Sequence, residues 1–136
     1  MKTKEALNFL HEKNEKELLQ TLSRFNKDLI VKSSLYQNNT EKLKEAEILL
    51  TEKMDIKEYK LKHAYHMYLI EQQEILSIEI LEVKTSIDKI KEEIIKSKRK
   101  NEKINDYFKE KEKETKRVIE RREDWLNNYK VKNPYQ

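Results

Sequence analysis

The chain has 136 residues, of which 41% are Asp, Glu, Lys or Arg and only 36% are hydrophobic, and its formal net charge is +4. It contains no cysteine, no glycine and a single proline, Pro134, whereas a chain of this length ordinarily has about ten glycines. The missing glycines exclude the phosphate-binding loop, the dinucleotide fingerprint and the nucleophile elbow, and the missing cysteines exclude disulfides and thiolate–zinc sites. Strong helix formers with little apolar material predict long helices.

A hydrophobic repeat of alternating four and three residues runs through the first part of the chain. Starting from Leu18 it reaches Leu22, Phe25, Leu29, Lys32, Tyr36, Asn39, Leu43, Ala46 and Leu50. This spacing averages roughly 3.5 residues, which is typical of a coiled-coil seam and which disordered charged chains lack. It predicts a first helix at about residues 3–52.

A second repeat with the same spacing begins at Leu69 and is out of phase with the first. It comprises Leu69, Gln73, Leu76, Ile80, Val83, Ile87, Ile90, Ile94, Ser97, Asn101, Ile104, Phe108, Lys111, Thr115, Val118, Arg122, Trp125 and Tyr129. We therefore predict a second helix at about residues 56–130, followed by a short C-terminal tail.

The change of phase between the two repeats locates the turn. Asp55 is followed three residues later by Glu58, which is the pattern of a capping box, and Met54 can supply the adjoining hydrophobic contact. This predicts a turn at residues 53–55. The alternative is a turn at residues 37–40 (Gln-Asn-Asn-Thr), but these residues lie inside an uninterrupted repeat, where Asn39 fits a polar seam position.

These elements predict an all-α fold: two long helices forming one antiparallel coiled-coil hairpin, with the second helix longer. At about 1.5 Å per residue the helices would be roughly 75 Å and roughly 110 Å long. Folding back at Asp55 would place Leu7 near Asn101, and residues beyond about 105 would have no partner within the chain. Because apolar seam residues continue there, as far as Tyr129, we expect a partner outside the chain.

Candidate catalytic and metal sites are weak. His63 and His66 are three residues apart on a helix with Glu58 nearby, but structural metal sites need four ligands, so ordinary surface histidines are the favoured interpretation. Clustered carboxylates such as Glu92 and Glu93 would lie on solvated helix faces without the shielded pocket that acid–base catalysis needs. We predict no enzymatic activity, no metal and no cofactor.

The positive charge of the chain is concentrated late in the sequence. Residues 96–122 contain twelve Lys and Arg against six Asp and Glu, and residues 96–100 form a basic run. No aromatic stacking platform accompanies the run, so we favour a solvated face or an electrostatic dock for an acidic protein over a nucleic-acid site. The longest uncharged apolar runs have four or five residues, too short for membrane insertion.

Residues 54–69 are the most aromatic part of the chain. Tyr59, Tyr65 and Tyr68 all fall in this stretch. Tyrosine is favoured where a ring packs while its hydroxyl stays in water, which is common at interfaces. These side chains would either form a binding patch or close the end of the hairpin, and the sequence does not separate the two.

These features together resemble the FliJ/YscO family, the central-stalk proteins of flagellar and injectisome type III secretion. The resemblance covers essentially the whole chain: the seam from Leu18 to Leu50, the turn at residues 54–56, the aromatic start of the second helix and the basic, seam-bearing residues 111–125. It implies a non-enzymatic, cytoplasmic protein peripheral to the membrane-bound export apparatus. Its expected partners are the hexameric export ATPase, the cytoplasmic domain of the export-gate membrane protein, and export chaperones.

The resemblance implies two contact surfaces. The terminal end of the hairpin would enter the ATPase ring, and there Val118, Arg121, Arg122 and Trp125 share roughly one helix face. The turn-side region would meet the export gate. Its candidate residues are Leu43, Ala46, Leu50, Tyr65, Tyr68 and Leu69.

Two other functions stay open: a homodimeric coiled-coil scaffold, and a holdase chaperone that grips apolar substrates. Polar seam residues fix register and orientation at a cost in stability, which suits one defined pairing better than promiscuous gripping. These residues are Lys32, Asn39, Ser97, Asn101 and Lys111.

Overall fold

The computed structural model describes residues 2–132, with side chains from residue 3 to residue 129. It contains helix α1, Lys2–Leu50, and helix α2, Ile56–Lys132, and no strand among these residues. The prediction of an all-α chain with a longer second helix is confirmed, since α1 has 49 residues and α2 has 77. The end of the predicted tail, residues 133–136, lies outside the described residues. Within residues 2–132, neither helix has a stretch long and apolar enough to cross a membrane.

Helix α1 ends without glycine. The amide of Thr51 donates to the carbonyl of Ile48 at 3.1 Å and its hydroxyl to the same oxygen at 2.6 Å, while the amide of Glu52 donates to Leu49 at 3.4 Å. These bonds satisfy carbonyls that a helix end otherwise leaves free. No described residue has a positive φ, so the turn needs none of the backbone freedom that glycine supplies.

Helix α2 begins where the capping pattern predicts. The Oδ1 atom of Asp55 accepts a hydrogen bond from the amide of Glu58 at 2.8 Å, and the carbonyl of Asp55 accepts from Tyr59 at 3.0 Å. An Asp in this position satisfies one of the free amides of the first turn and is favoured by the helix dipole. The alternative turn at residues 37–40 is wrong, because these residues lie inside α1.

The chain divides into two compact units. The turn unit is Lys16–Ile94, and the terminal unit is formed by Met1–Glu15 together with Ile95–Gln136. Each unit contains a segment of both helices, and in each the two segments pack against one another.

In the turn unit, the buried residues are those of the predicted seam. Ala46, Leu69, Val83, Ile87 and Ile94 are each at most 9% exposed. The period therefore identified the core correctly, because residues spaced by three and four stay on one side of a helix.

Contacts across the turn unit follow a regular order. His66 lies 3.7 Å from Glu47, and Lys32 lies 4.0 Å from Glu79. Later residues of α1 thus meet earlier residues of α2. Lys32 also pairs with Asp28 on its own helix at 3.1 Å. This ion pair partly offsets the free-energy cost of placing a charged side chain at a seam position.

A polar layer crosses the core of the turn unit. Asn39, only 8% exposed, donates from Nδ2 to the carbonyl of Leu69 at 2.9 Å and to Gln73 Oε1 at 2.6 Å. Gln73 Nε2 in turn donates to the hydroxyl of Thr40 at 2.7 Å, which donates to the carbonyl of Tyr36 at 2.9 Å. A slip of one helix turn would leave Asn39 buried without these partners, so the layer fixes the register.

The terminal unit has its own polar contacts across the helices. Ser97 on α2 lies 3.4 Å from Asn14 Nδ2 and 3.5 Å from His11 Nδ1 on α1. The other ring nitrogen of His11 lies 3.5 Å from Glu15. Ser97 therefore occupies a polar seam position, as predicted.

Pairing in the terminal unit extends slightly further than the sequence predicted. Phe108 is only 9% exposed, and Lys4 Nζ lies 3.5 Å from Glu112 Oε1. The predicted limit of about residue 105 is therefore wrong by one to two helix turns. The predicted limit was counted from backbone positions alone. It did not include the length of the Lys4 side chain, which extends to Glu112.

We predict a larger loss of stability from breaking the polar layer than from replacing it. Asn39→Ala should lower the free energy of unfolding by about 1–3 kcal/mol, because Gln73 loses its donor in a half-buried position. Replacing both Asn39 and Gln73 with leucine removes both polar groups and should change it by less than about 1 kcal/mol. Urea unfolding followed by circular dichroism measures both.

The control for this experiment is Asn38→Ala, which changes an exposed neighbour and should cost less than about 0.5 kcal/mol. Equal losses in Asn39→Ala and in the double-leucine variant would contradict a specific role for the layer.

Candidate partner-binding surfaces

Helix α2 continues beyond Phe108, the last buried residue described on it. Every side chain from residue 109 to residue 129 is exposed, and we call these residues the overhang. Lys113 and Glu110 pair at 3.7 Å, and the Thr115 hydroxyl donates to the Lys111 carbonyl at 3.0 Å. Strong helix formers and pairs at this spacing maintain a helix that has little tertiary packing.

The overhang has an apolar stripe on one side. Two pairs of its residues are seven positions apart, so they repeat on the same helix face. Each is between 45% and 65% exposed. The overhang stripe is Val118, Ile119, Trp125, Leu126 and Tyr129.

The overhang stripe ends in a stacked aromatic pair. The rings of Trp125 and Tyr129 are 5.8 Å apart at their centroids and nearly parallel, at 16°. Stacked rings keep a large apolar area in one fixed shape, which lowers the entropy lost when a partner covers it.

The predicted ATPase-contact residues lie together on the overhang. Val118 and Trp125 belong to the stripe, and Arg122 lies between them, four residues from one and three from the other. Arg121 borders this group. All four side chains are exposed, so the structure leaves them accessible to a partner.

Sequence reasoning missed Ile119 and Leu126. They lie beside the seam rather than on it, so counting by four and three from Leu69 passes over them. The sequence pattern could have identified both residues. They are seven residues apart, and each directly follows a seam residue, Val118 or Trp125. An apolar helix face that packs against a partner is wider than a two-position seam.

The candidate export-gate residues divide into a buried and an exposed set. Ala46 and Leu69 are each 3% exposed, and Leu43 and Leu50 are half-buried. Ala46 and Leu69 therefore belong to the core, and the expectation that they help to form a contact surface needs correction. A partner cannot touch them while the helices stay packed.

The two tyrosines of that set are exposed. Tyr65 and Tyr68 lie on α2 in line with Leu61 and Ile75, which the sequence reasoning missed. The spacing of four, three and seven keeps the four residues on one face, and each is between 45% and 73% exposed. We call Leu61, Tyr65, Tyr68 and Ile75 the tyrosine stripe. The stripe is therefore accessible to a partner, as are other apolar side chains outside the seam.

The histidines near the turn do not assemble a metal site. His63 stacks on Tyr59 with ring centroids 5.7 Å apart, whereas His66 lies against Glu47. Among the described residues, no group of three or more His, Cys, Asp or Glu side chains is placed to hold a metal ion.

Comparison with known proteins gives no further guide. No protein-family model, curated protein or solved structure matches the chain.

We predict that the overhang stripe contributes almost nothing to folding. Trp125→Ala should change the free energy of unfolding by less than about 0.5 kcal/mol, because the ring is 65% exposed. Phe108 lies at one end of the covered seam. Phe108→Ala should lower the free energy of unfolding by about 3 kcal/mol, because a buried ring is lost. Urea unfolding measures both variants, and a large loss in Trp125→Ala would show that the ring has a packing role within the chain.

Proposed function

We propose that the chain is an antiparallel coiled-coil hairpin that acts as a non-enzymatic stalk in a type III secretion export apparatus. It would link the hexameric export ATPase to the export gate and promote ATPase assembly and protein export from the cytoplasmic side of the membrane. The single observation that carries the proposal is the overhang stripe, because an apolar helix face of this length, uncovered within the described chain, is typical of a partner-binding surface. The contact order across the turn unit supports the antiparallel hairpin.

The overhang is the proposed ATPase contact. Trp and Arg are the residue types most enriched among interface hot spots, and Trp125, Arg121 and Arg122 are close together there. The basic excess of residues 96–122 would steer the chain toward an acidic-lined ring, and the apolar stripe would then slow dissociation.

Arg122 favours a different protein over a second copy as the partner. It lies inside the stripe and has no ion-pair partner among the described residues. Pairing of two overhangs in parallel and in register would bring two such guanidinium groups together in an apolar contact, which is unfavourable. A ring with acidic residues would neutralise the charge instead.

The tyrosine stripe is the proposed contact with the cytoplasmic domain of the export gate. Its two hydroxyl-bearing rings are suited to an interface that forms and separates in water. Export chaperones are further partners in this proposal, with no surface assigned to them.

We predict that the overhang is required for stimulation of the ATPase. Truncation after Lys113 keeps the Lys4–Glu112 pair and the buried Phe108, so the paired helices should stay folded while stimulation is lost. Trp125→Ala should weaken binding to the ATPase by about 30-fold, the effect of a hot-spot residue. Steady-state ATP hydrolysis and binding to the purified ATPase give the two readouts.

The matched control for Trp125→Ala is Ile95→Ala, which changes another half-exposed apolar residue on the same helix. It should bind and stimulate like the unchanged chain. If the truncated chain and Trp125→Ala both stimulate fully, the overhang is not the ATPase contact and the stalk proposal fails.

We predict the reciprocal behaviour for the tyrosine stripe. Replacing Tyr65 and Tyr68 together with alanine should weaken binding to the isolated cytoplasmic gate domain at least about tenfold, while ATPase stimulation stays unchanged. Both rings are about half exposed, so the fold should tolerate the change. Titration of the gate domain by calorimetry measures it, with Trp125→Ala as the control that should retain gate affinity.

The scaffold and chaperone alternatives make different predictions in solution. A homodimeric scaffold would sediment at twice the mass of one chain and lose this association when the overhang is removed. A holdase would suppress aggregation of unrelated unfolded proteins. A monomer without such activity leaves the stalk as the function that accounts for the overhang stripe.

A further inference from the structure

The terminal unit contains an open groove of about 730 Å³. Its floor is apolar and comes from both helices: Leu7 of α1 lies beside Ile104 and Phe108 of α2. Leu7 and Ile104 are only half-buried by the pairing. Two helices cannot cover this floor alone, and a third apolar surface would cover it.

The rim of the groove is positively charged. Lys100, Lys103 and Lys111 all line it and are exposed. Lys111 Nζ lies 5.5 Å from the centre of the Tyr107 ring, which also lines the groove. None of the three lysines has a carboxylate partner among the described residues, whereas the nearby Lys4 is paired with Glu112. The charge of the rim is therefore not neutralised within the described chain.

We propose that this groove is a docking site for an amphipathic helix of a partner protein, with carboxylates on both sides of its apolar face. The floor would bury the apolar residues of that helix, and the carboxylates would pair with the rim lysines. A third helix laid between two others is a common packing arrangement. The site uses neither the overhang stripe nor the tyrosine stripe, but its rim lysines belong to the basic residues 96–122 to which the proposed function assigns electrostatic steering.

The composition of the lining favours a helix over other ligands. Specific small-molecule pockets enclose most of their ligand and fix its orientation with buried polar groups, whereas this groove is open and its three lysines are exposed. Nucleic acid would place polar phosphates and sugars over an apolar floor. Charge complementarity together with an apolar floor suits acidic amphipathic helices best.

The test uses a labelled synthetic peptide of three Ile-Ala-Gln-Leu-Glu-Ala-Glu repeats, titrated with the full chain and followed by fluorescence anisotropy. We expect saturable binding, with a Kd on the order of 10 µM, that weakens as salt is added. The same peptide with lysine in place of glutamate should not bind. Because the probe contains no ATPase or gate component, its result is separate from that of the proposed function.

Substitutions of two rim lysines and of the Tyr107 ring test whether the peptide binds in the groove. Lys100→Glu with Lys103→Glu should weaken peptide binding at least about tenfold, and Tyr107→Ser should weaken it by a smaller factor that salt does not change. The control is Lys98→Glu with Lys109→Glu, which makes the same charge change at exposed residues that do not line the groove. This control should keep most of the affinity. All these residues are exposed, and circular dichroism checks that the variants stay helical.

Three outcomes would overturn the proposal. One is no saturable binding of the acidic peptide, and another is equal weakening by the rim variant and its control, which would indicate non-specific attraction. The third is rim-dependent binding to phosphatidylglycerol vesicles or to a single-stranded oligonucleotide without peptide binding, which would assign the rim to a lipid surface or to nucleic acid.

Discussion

The difference in length between the two helices determines where the seam of α2 is left uncovered. Helix α1 has 49 residues and α2 has 77, so the seam of α2 can be covered only as far as α1 extends. Phe108 is the last buried residue described on α2, and the overhang stripe follows it. The same repeat that buries apolar side chains in the core thus exposes them beyond it. No separate motif is needed to produce the exposed apolar stripe.

Packing of only two helices also buries little of the surface of either one. No described side chain is fully buried, and even the most buried core residues, Ala46 and Leu69, retain some exposure. Apolar residues outside the seam therefore stay in water, as Tyr68 and Leu61 do. With so little hydrophobic burial, register depends on polar specificity, which Asn39 provides through its bonds to both Leu69 and Gln73.

The hydrophobic repeat predicted which residues form the seam. It did not predict how far pairing extends, which depends on side-chain length, or how wide the apolar stripe is. The cap at Asp55 was predictable because the pattern is local and its geometry is fixed by one hydrogen bond. The seam, for example Ala46, was predictable because a repeat of four and three follows one line along a helix. Ile119 and Leu126 lie next to that line, so the repeat did not reveal them. The pairing limit near Glu112 depended on the length of a lysine side chain.

The two surfaces of the terminal unit differ in how they relate to folding. Val118, Ile119, Trp125 and Leu126 of the overhang stripe are exposed, so changes at these four residues should cost almost no stability. The groove floor is shared with the fold, because Leu7 and Ile104 contribute both to the helix packing and to the groove. A ligand in the groove binds only the packed form and therefore stabilises it by mass action. Occupancy of the groove would thus strengthen the pairing at the point where the overhang begins, and would hold the start of the proposed ATPase contact in a defined position.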